Sequence, residues 1–360
     1  MTPARRRGWP LLTIGAVLLA ALLVGLSLGS SARAVPSPPA PAPSPSPARS
    51  PSPTSSLATA ARLSAAAAQL PGQPLRPGIL LRAGPGTPAG DAQVVRLRVG
   101  NRPRGYLLLP PLGWPTTEPA GLLVVLHQDA GSALAVADAL GLDRLRRSGI
   151  ALAYPAGIDG SWNAGDCCGI AKAERVDDVA FVNAVLDDAG SRLPIDPLRR
   201  GLLGYSGGGM LAYRVLCQSH PELAAAVEVS GSLESDCARV LQLPDLLSVH
   251  GALDGTVGLT KPVFVRHLRI SPRTVASTLR MLAGRAGCGT RNIRDGGGTR
   301  LLRWPHCRGG STVQAQIVQA AGHGWDDIGA ADRVVPFLLA RLAPTGRRTS
   351  TASPAAAAAS

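Results

Sequence analysis

A short apolar run leads directly into a glycine-rich turn around Ser206, and this transition restricts the fold more than any other feature of the sequence. The run from Gly201 to Tyr205 has the composition of a buried strand, and the residues from Leu211 to Leu216 repeat apolar side chains at helical spacing. Gly204 and Gly208 flank the serine at positions where a strand-to-helix elbow leaves no room for a side chain. The pattern Gly-x-Ser-x-Gly therefore predicts a reactive serine at the carboxyl end of a strand.

Short apolar runs alternate with longer amphipathic segments through the middle of the chain. This alternation is typical of an α/β fold, in which helices cover a largely parallel sheet. The segment from Asp177 to Ala189, for example, repeats apolar residues at three- and four-residue steps and is predicted to be a helix. The predicted strands are an antiparallel opening pair, Val94–Val99 and Tyr106–Leu109, followed by Leu122–Leu126, Ile150–Tyr154, Leu202–Tyr205, Ala225–Val229, Leu246–Val249 and Val313–Val318.

A serine hydroxyl becomes a good nucleophile only when a base removes its proton, and that base needs an acid to orient it. In folds with this elbow the acid and then the histidine follow the serine, each after a later strand. Asp254 comes after the strand Leu246–Val249, 48 positions beyond Ser206. His323 comes after the strand Val313–Val318, a further 69 positions along the chain. We therefore predict Ser206 as nucleophile, His323 as general base and Asp254 as the orienting acid.

The other acids and histidines fit these roles less well. Asp326 and Asp327 lie too close in sequence to the predicted base, and Asp245 precedes its strand rather than following it. His250 is expected to pack or hydrogen-bond beneath the loop of the predicted acid, and His127 ends an early strand. The remaining histidines are expected at the surface or at helix caps: His220, His267 and His306.

The tetrahedral intermediate of acyl transfer carries a negative charge, which needs two backbone N–H donors. Gly207 directly follows the serine and is expected to supply the first donor. The second is expected from the loop after the early strand that ends in His127, from Gln128 or a close neighbour. A backbone donor makes no demand on side-chain type, so this prediction rests on position alone, and an ordinary turn at the end of a strand is the alternative.

The two ends of the chain differ in composition from its middle. Arg5 to Arg7 precede an apolar run from Leu11 to Leu28, and Ala32-Arg33-Ala34 has the small-x-small pattern that a signal peptidase recognises. The apolar run is also about long enough to span a bilayer, so an uncleaved segment would tether the chain to a membrane. Four parts are predicted: a signal peptide or anchor (1–34), a disordered Pro/Ser/Ala-rich linker (35–90), one catalytic domain (91–343) and a disordered tail (344–360).

The formal charge of +14 comes almost entirely from arginine. The arginines are scattered along the sequence and do not form a stripe, so no nucleic-acid partner is predicted. In an exported protein a positive charge more often serves solubility or adhesion to polyanions.

Six cysteines in an exported chain indicate disulfides, and the sequence lacks the spacings typical of metal ligands, so no metal site is predicted. Adjacent cysteines such as Cys167 and Cys168 rarely bridge each other, and each is expected to reach a different partner. Other pairings remain open. The predicted disulfides join Cys288 to Cys307, and Cys167 and Cys168 to Cys217 and Cys237.

Seven segments of the chain, in this order, resemble the polyhydroxybutyrate depolymerase and feruloyl esterase group of secreted α/β-hydrolases: LLVVLH, ALAYPAG, SWNAGDCCG, DDVAFVNAVLDD, IDPLRRGLLGYSGGGM, VHGALDGTV and GHGWDD. The resemblance covers roughly residues 92–342. It implies the α/β-hydrolase fold, with a mostly parallel central sheet, helices on both faces and no large lid. It also implies the triad Ser206, Asp254 and His323, disulfides, and neither a metal nor another cofactor. Members of the group act on short hydroxyalkanoate polyesters, feruloylated or acetylated plant polysaccharides and small acyl esters.

Two positions depart from the pattern of that group. His127-Gln128 stands where the group usually has His-Gly, which bears on the geometry of the oxyanion hole. Asp326 replaces a proline often found there, which changes the rim around Trp325. By analogy with the group, Trp162 and Trp325 are predicted to line the substrate pocket together with Tyr205, and tryptophans packed in the core are the alternative.

The sequence therefore predicts an exported serine esterase that cleaves carboxylic esters, polymeric or small, through an acyl-enzyme. Two alternatives stay open. One is an inactive hydrolase scaffold used for surface adhesion, which the linker, the excess of arginine and Gln128 suggest. The other is a serine peptidase of related fold.

Overall fold

A single sheet organises the computed structural model of this chain. The structure describes residues 92–344, except 116, 220, 239–241 and 267, together with the strand Leu80–Leu81. The predicted signal or anchor, nearly all of the predicted linker and the tail lie outside these residues, so the predictions for them stay predictions. Within the described part of the chain, no helix is both long enough and apolar enough to cross a membrane.

Eleven strands form this sheet in the described residues, in the order β1-β2-β3-β5-β4-β6-β7-β8-β11-β10-β9. The six central strands, from β5 to β11, are parallel, and the strands at both edges are antiparallel. The strands are β1 (Leu80–Leu81), β2 (Ala92–Val99), β3 (Arg102–Leu109), β4 (Ala120–Leu126), β5 (Ile150–Pro155), β6 (Ile195–Tyr205), β7 (Ala225–Val229), β8 (Asp245–Gly251), β9 (Asn292–Gly296), β10 (Thr299–Trp304) and β11 (Val313–Val318).

Helices cover both faces of the sheet, and each face has its own apolar core. One face of the sheet is covered by α4, α5 and α6, together with the segment that contains α3, and the other face by α1, α2 and α7. Central strands such as β4 are buried along their whole length, because helices shield them on both sides. The helices are α1 (Ala133–Ala139), α2 (Asp143–Arg146), α3 (Gly169–Ala173), α4 (Asp178–Arg192), α5 (Gly207–Gln218), α6 (Val275–Arg285) and α7 (Ala330–Leu342).

All eight predicted strands are present in the structure. The opening pair is antiparallel as predicted, with Val95 opposite Tyr106. The predicted helix is α4, and Asp177 caps its amino terminus by accepting a hydrogen bond from the backbone N–H of Ala180. The sequence prediction missed the hairpin β9–β10. All five residues of β9 are exposed, so this edge strand lacks the apolar alternation on which the prediction depended.

Candidate active site

The backbone at Ser206 has a left-handed conformation between the end of β6 and the start of α5. Its φ is 53° and its ψ is −116°, values that a non-glycine residue rarely adopts. The turn is tight on both sides, because a Cβ atom on Gly204 would collide with the backbone of Gly208, and one on Gly208 would collide with the backbone of Leu126. The glycines of the motif thus allow the chain to turn sharply and hold the serine at the carboxyl end of β6.

Ser206, His323 and Asp254 form a continuous hydrogen-bonded line. The Oγ atom of Ser206 lies 2.9 Å from Nε2 of His323, and Nδ1 of His323 lies 2.8 Å from Oδ2 of Asp254. Asp254 follows β8 and His323 follows β11, and these two strands are adjacent and parallel. Their two loops therefore leave the sheet at the carboxyl ends of the strands, where the serine elbow also lies. The structure therefore brings together the three side chains that the sequence analysis singled out.

The Asp254 carboxylate accepts hydrogen bonds on both of its oxygens. Oδ1 accepts from the backbone N–H groups of Thr256 at 2.7 Å and Val257 at 2.8 Å, and Oδ2 faces His323. Burial acts to raise the pKa of Asp254, but the hydrogen bond and charge of His323 and the backbone N–H of Val257 outweigh it and lower the pKa. The carboxylate is thus held ionised, as an acid that orients a histidine must be.

His250 lies fully buried on the far side of the same carboxylate. Its Nε2 atom is 2.8 Å from the carbonyl oxygen of Val257 and 3.3 Å from Oδ2 of Asp254. A carbonyl oxygen can only accept, so Nε2 carries the proton and donates it. Burial lowers the pKa of His250 and favours the neutral ring. The prediction that this histidine hydrogen-bonds beneath the acid's loop agrees with this geometry.

The loop after β4 lies against the residue that follows the serine. A Cβ atom placed on Gly207 would lie 3.2 Å from the backbone nitrogen of Asp129 and 3.3 Å from its Cβ. The carbonyl oxygen of Gln128 accepts hydrogen bonds from Gly131 N–H at 3.0 Å and from the ring of His127 at 2.7 Å. Of the two residues, Asp129 and not Gln128 is thus the one placed directly against Gly207.

Trp162 belongs to the core and supports this loop from beneath. Its side chain is only 1% exposed, its indole N–H donates to the carbonyl oxygen of His127 at 2.9 Å, and the two ring centroids are 4.6 Å apart. The Nε2 atom of His127 accepts from Gly157 N–H at 2.9 Å, and burial lowers the pKa of His127 to about 4. The prediction that Trp162 lines the substrate pocket is wrong, because packing between the loops after β4 and β5 buries the ring.

Trp325 is also a core residue, with a side chain 6% exposed. Its ring meets the ring of Tyr205 edge to face at 5.6 Å, and the Tyr205 hydroxyl lies 3.4 Å from the carbonyl oxygen of His323. The prediction that Trp325 forms a pocket wall is therefore corrected, because the ring packs beneath the histidine's loop. Tyr205 is half-buried and remains a candidate for substrate contact. Leu253, the residue before Asp254, has an exposed apolar side chain that the sequence did not single out.

A buried carboxyl group that the sequence analysis missed lies behind the serine elbow. Glu228 of β7 is fully enclosed and accepts a hydrogen bond from the backbone N–H of Gly231. Its Oε2 atom lies 2.9 Å from the hydroxyl of Ser248 on β8 and 3.1 Å from that of Tyr213 on α5. Burial raises the pKa of Glu228 to about 8, against the hydrogen bonds that lower it. A glutamate within an apolar strand gives little sequence signal, because its partners are brought together only by the fold.

The predicted links from Cys167 and Cys168 to the other cysteines are wrong. The structure pairs these two adjacent cysteines with each other. Cys217, in the last turn of α5, pairs with Cys237, because the loop after β7 returns to that helix and brings the two Cα atoms within 4.9 Å. A third disulfide joins the remaining two cysteines, Cys288 and Cys307.

Among the described residues, the other acids and histidines that could have filled the roles of orienting acid and general base form no hydrogen bond with Ser206. Asp326 and Asp327 are exposed, and Asp245 pairs with Arg341 at 2.8 Å. His306 is exposed, whereas His220 and His267 lie outside the described residues. Within the described ranges, no cluster of three or more His, Cys, Asp or Glu side chains could hold a metal ion.

The architecture matches that of a solved structure, an acetyl xylan esterase from Aspergillus awamori. The TM-score is 0.50 at 14% sequence identity, over 65% of this chain and 94% of that protein. The chain has the α/β-hydrolase fold. The chain places its elbow serine, its histidine and its acid after the strands at which that fold carries its reactive residues.

The sequence is also similar to those of curated proteins, although no family model matches it. It is 28% identical over 291 residues to NocK of Nocardia uniformis subsp. tsuyamanensis, a protein named as an esterase, covering 74% of this chain and 83% of that one. It is 25% identical over 174 residues to feruloyl esterase C of Emericella nidulans, covering 47% of this chain and 61% of that one. The match thus spans less than two thirds of the feruloyl esterase. These relatives confirm the resemblance to α/β-hydrolase esterases that the sequence motifs indicated.

Proposed function

We propose that the protein is a serine carboxylic ester hydrolase that forms an acyl-enzyme on Ser206. The observation that carries this proposal is the hydrogen-bonded line from Ser206 through His323 to Asp254, with both contacts under 3.0 Å. A serine, a histidine and a buried carboxylate in this order are the parts that acyl transfer requires. The relatives named as esterases support the same reaction class.

In the first half of the proposed cycle, the Oγ atom of Ser206 attacks the ester carbonyl carbon while Nε2 of His323 accepts its proton. The ionised Asp254 stabilises the imidazolium that forms and holds the ring in the required orientation. The carbon–oxygen bond to the alcohol then breaks, and the imidazolium gives its proton to the departing alcohol. The acyl group remains on Ser206.

In the second half, water replaces the alcohol. His323 accepts a proton from the water as it attacks the acyl carbon, and returns that proton to Oγ of Ser206 when the acid product leaves. The negative charge of both tetrahedral intermediates needs two backbone donors. We assign the N–H of Gly207 as the first. For the second, the position of Asp129 against Gly207 favours the N–H of Asp129 over that of Gln128, the residue predicted from sequence.

The names of related proteins guide the choice of substrates for this hydrolase. The proteins that it resembles are named esterase, feruloyl esterase and, for a solved structure, acetyl xylan esterase. Feruloyl and acetyl esters of polysaccharides are therefore the first esters to test, together with the short hydroxyalkanoate polyesters that the sequence motifs suggested. The exposed Leu253 beside Asp254 offers an apolar contact at the rim for the acyl or alcohol part.

We also propose that the protein is exported. Disulfides persist in oxidising compartments, and all six cysteines are paired in the structure. The signal-like segment at residues 1–34 supports the same conclusion. Sequencing the amino terminus of the mature protein would test whether that segment is removed.

The experiment that tests the function compares Ser206→Ala with Ser271→Ala, a substitution of an exposed serine. We expect Ser206→Ala to lower kcat for p-nitrophenyl acetate by about 10⁴-fold or more and to abolish labelling by a fluorophosphonate probe. Ser271→Ala should keep kcat and the extent of labelling within about twofold of the wild-type values. Both variants should unfold near the wild-type temperature. Hydrolysis by Ser206→Ala at the wild-type rate would refute the assignment, and a wild-type protein that the probe does not label would indicate an inactive scaffold.

A further inference from the structure

The segment of four residues from Glu228 to Gly231 lies directly behind the serine elbow, and we call it the serine clasp. The carbonyl oxygen of Val229 accepts a hydrogen bond from the backbone N–H of Ser206 at 2.7 Å. A Cβ atom placed on Gly231 would lie 2.8 Å from the carbonyl oxygen of Ser206. The backbone of the nucleophile therefore contacts the clasp on both its N–H and its carbonyl side.

The Glu228 side chain fixes the shape of the serine clasp. Its carboxyl accepts a hydrogen bond from the backbone N–H of Gly231, three residues further along, and so closes the turn that contains Ser230. Ser230 has a φ of 56°, a left-handed conformation like that of Ser206. Residues other than glycine keep such a conformation only where surrounding contacts enforce it. The Glu228 carboxyl is thus one of the contacts that hold this strained backbone next to the nucleophile.

The same carboxyl also contacts the first turn of α5. A Cβ atom placed on Gly209 would lie 2.9 Å from Oε1 of Glu228 and 3.1 Å from its Cγ. The Oε2 atom lies 3.1 Å from the hydroxyl of Tyr213 on α5 and 2.9 Å from that of Ser248 on β8. Gly207, whose N–H we assign to the oxyanion hole, begins this helix. A shift of the carboxyl would therefore displace both the nucleophile and the oxyanion donor.

The charge of Glu228 matters because the reaction builds negative charge nearby. The tetrahedral intermediate carries its charge against the N–H of Gly207, and a second negative charge buried behind the elbow would repel it in surroundings of low dielectric constant. Burial, together with the charge of Asp254, raises the pKa of Glu228 to about 8 against the hydrogen bonds that lower it. At neutral pH the side chain is therefore a neutral acid.

The titratable groups around Glu228 supply no positive charge that could offset its ionisation. Burial raises the pKa of Tyr213 on α5 well above its ordinary value, so this residue stays a neutral phenol. Burial lowers the pKa of His250 on β8 and favours its neutral ring, and Asp254 after β8 is an anion. The rest of the clasp has no titratable side chain, and β6 places a glycine opposite Glu228. Within the described part of the chain, no arginine or lysine pairs with this carboxyl.

We propose that Glu228, as a neutral acid, is a positioning residue that holds the serine clasp and the first turn of α5 in the geometry that acyl transfer requires. This inference rests on the proposed ester hydrolysis. The protonated carboxyl accepts from Gly231 and can donate its own proton to the hydroxyl of Ser248 or Tyr213. Loss of that proton removes the donor and leaves a negative charge behind the oxyanion. The reaction should therefore slow when Glu228 ionises.

The test compares three variants of the full-length protein with the wild type. Glu228→Gln imitates the neutral acid, because its amide oxygen can accept from Gly231 and its amide nitrogen can donate to both hydroxyls. Glu228→Ala removes these contacts. Glu234→Gln is the matched control, since Glu234 is also a buried glutamate but contacts Ser232 and the backbone of Arg273 instead of the elbow. The measurement is kcat and KM for p-nitrophenyl acetate from about pH 6 to about pH 9, corrected for spontaneous hydrolysis.

At about pH 6.5 we expect Glu228→Gln and Glu234→Gln to keep kcat within about twofold of the wild type, and Glu228→Ala to lower it about tenfold without a change in KM. Between about pH 7 and about pH 9, kcat of the wild type and of Glu234→Gln should fall about fivefold or more. Over the same range, kcat of Glu228→Gln should fall by less than about twofold, because the amide cannot ionise.

An equal fall in the wild type and in Glu228→Gln, or a wild-type kcat that stays level over the alkaline range, would overturn the proposal. So would a loss of about tenfold in Glu228→Gln at about pH 6.5, since the site would then need the ionised carboxylate. If Glu228→Ala does not fold, the pH profiles of the other proteins still decide between these outcomes. A wild-type protein that neither hydrolyses p-nitrophenyl acetate at neutral pH nor reacts with a fluorophosphonate probe would instead refute the esterase itself, so the two failures are distinguishable.

Discussion

His250 and His323 contact the same carboxylate oxygen of Asp254, at 3.3 Å and 2.8 Å. The two rings play different parts. His323 is partly exposed and contacts Ser206. His250 is fully buried, and its Nε2 atom contacts both the Asp254 carboxylate and the carbonyl oxygen of Val257. The acid's loop is thus fixed from beneath by a neutral histidine that does not reach the substrate.

We predict that His250→Phe lowers kcat about tenfold while KM changes by less than about twofold, because the substitution loosens the carboxylate that orients His323. It should also destabilise the fold by about 1–3 kcal/mol, since the carbonyl oxygen of Val257 loses its buried donor. Steady-state kinetics and urea unfolding measure the two effects. His306→Asn, which changes an exposed histidine and suits its left-handed backbone, is the control and should alter neither. An unchanged kcat in His250→Phe would show that the ring has no positioning role.

The identity of the orienting acid can be tested with a pair of isosteric substitutions. Asp254→Asn should lower kcat by about 10³–10⁴-fold, because an amide cannot stabilise the imidazolium and favours the wrong tautomer of His323. Asp326→Asn, which changes an exposed carboxylate in the same loop as the histidine, should leave kcat within about twofold. The measurement is the rate of p-nitrophenyl acetate hydrolysis at neutral pH. If the larger loss occurred in Asp326→Asn, the assignment of the acid would have to be reversed.

The buried Glu228 predicts a specific dependence of stability on pH. Its pKa is raised to about 8 in the folded protein, against roughly 4.3 for a glutamate in an unfolded chain. Below pH 4.3, roughly, the glutamate is protonated in both the folded and the unfolded chain, and its contribution to the free energy of unfolding is fully present. Between the two values only the folded state keeps the proton, so the contribution is lost as the pH rises towards 8.

We therefore expect Glu228→Gln, which cannot ionise, to gain stability relative to the wild type by about 1.4 kcal/mol per pH unit between pH 5 and pH 8, with no further gain above that range. Urea unfolding of both proteins at four pH values measures the difference. Asp254 and the other ionisable groups are common to both proteins and cancel in the comparison. Parallel curves for the two proteins would mean that Glu228 is already ionised at neutral pH.

The disulfide between Cys217 and Cys237 ties the end of α5, the helix that begins after the serine, to the loop after β7. It spans 20 residues, and a cross-link over a loop of this length stabilises a fold by about 3 kcal/mol. Replacing both cysteines by alanine should lower the unfolding temperature accordingly in scanning calorimetry. The Cys288–Cys307 bond, with a sequence separation of 19, is the matched control and should have a similar effect. If replacing Cys217 and Cys237 left the unfolding temperature unchanged, this disulfide would not be present in the folded protein.

Local patterns predicted much of this fold and of its candidate site. The elbow around Ser206 is recognisable because its glycines and its flanking strand and helix are adjacent in sequence. Asp254 and His323 could be selected because each follows an apolar run, and the ends of parallel strands meet at one edge of a sheet. The hairpin β9–β10 was missed because an exposed edge strand has no buried face and hence no apolar period.

The sequence by itself thus determined the order of the central strands, the serine at the elbow, and the acid and histidine that lie within hydrogen-bonding distance of one another. Only the tertiary structure decided that Trp162 packs beneath a loop instead of facing a substrate, that Cys217 pairs with Cys237, and that Glu228 lies enclosed behind the elbow. The physical reason is the same in each case: burial and pairing depend on contacts between residues distant along the chain, whereas periodicity and turn geometry depend on neighbours.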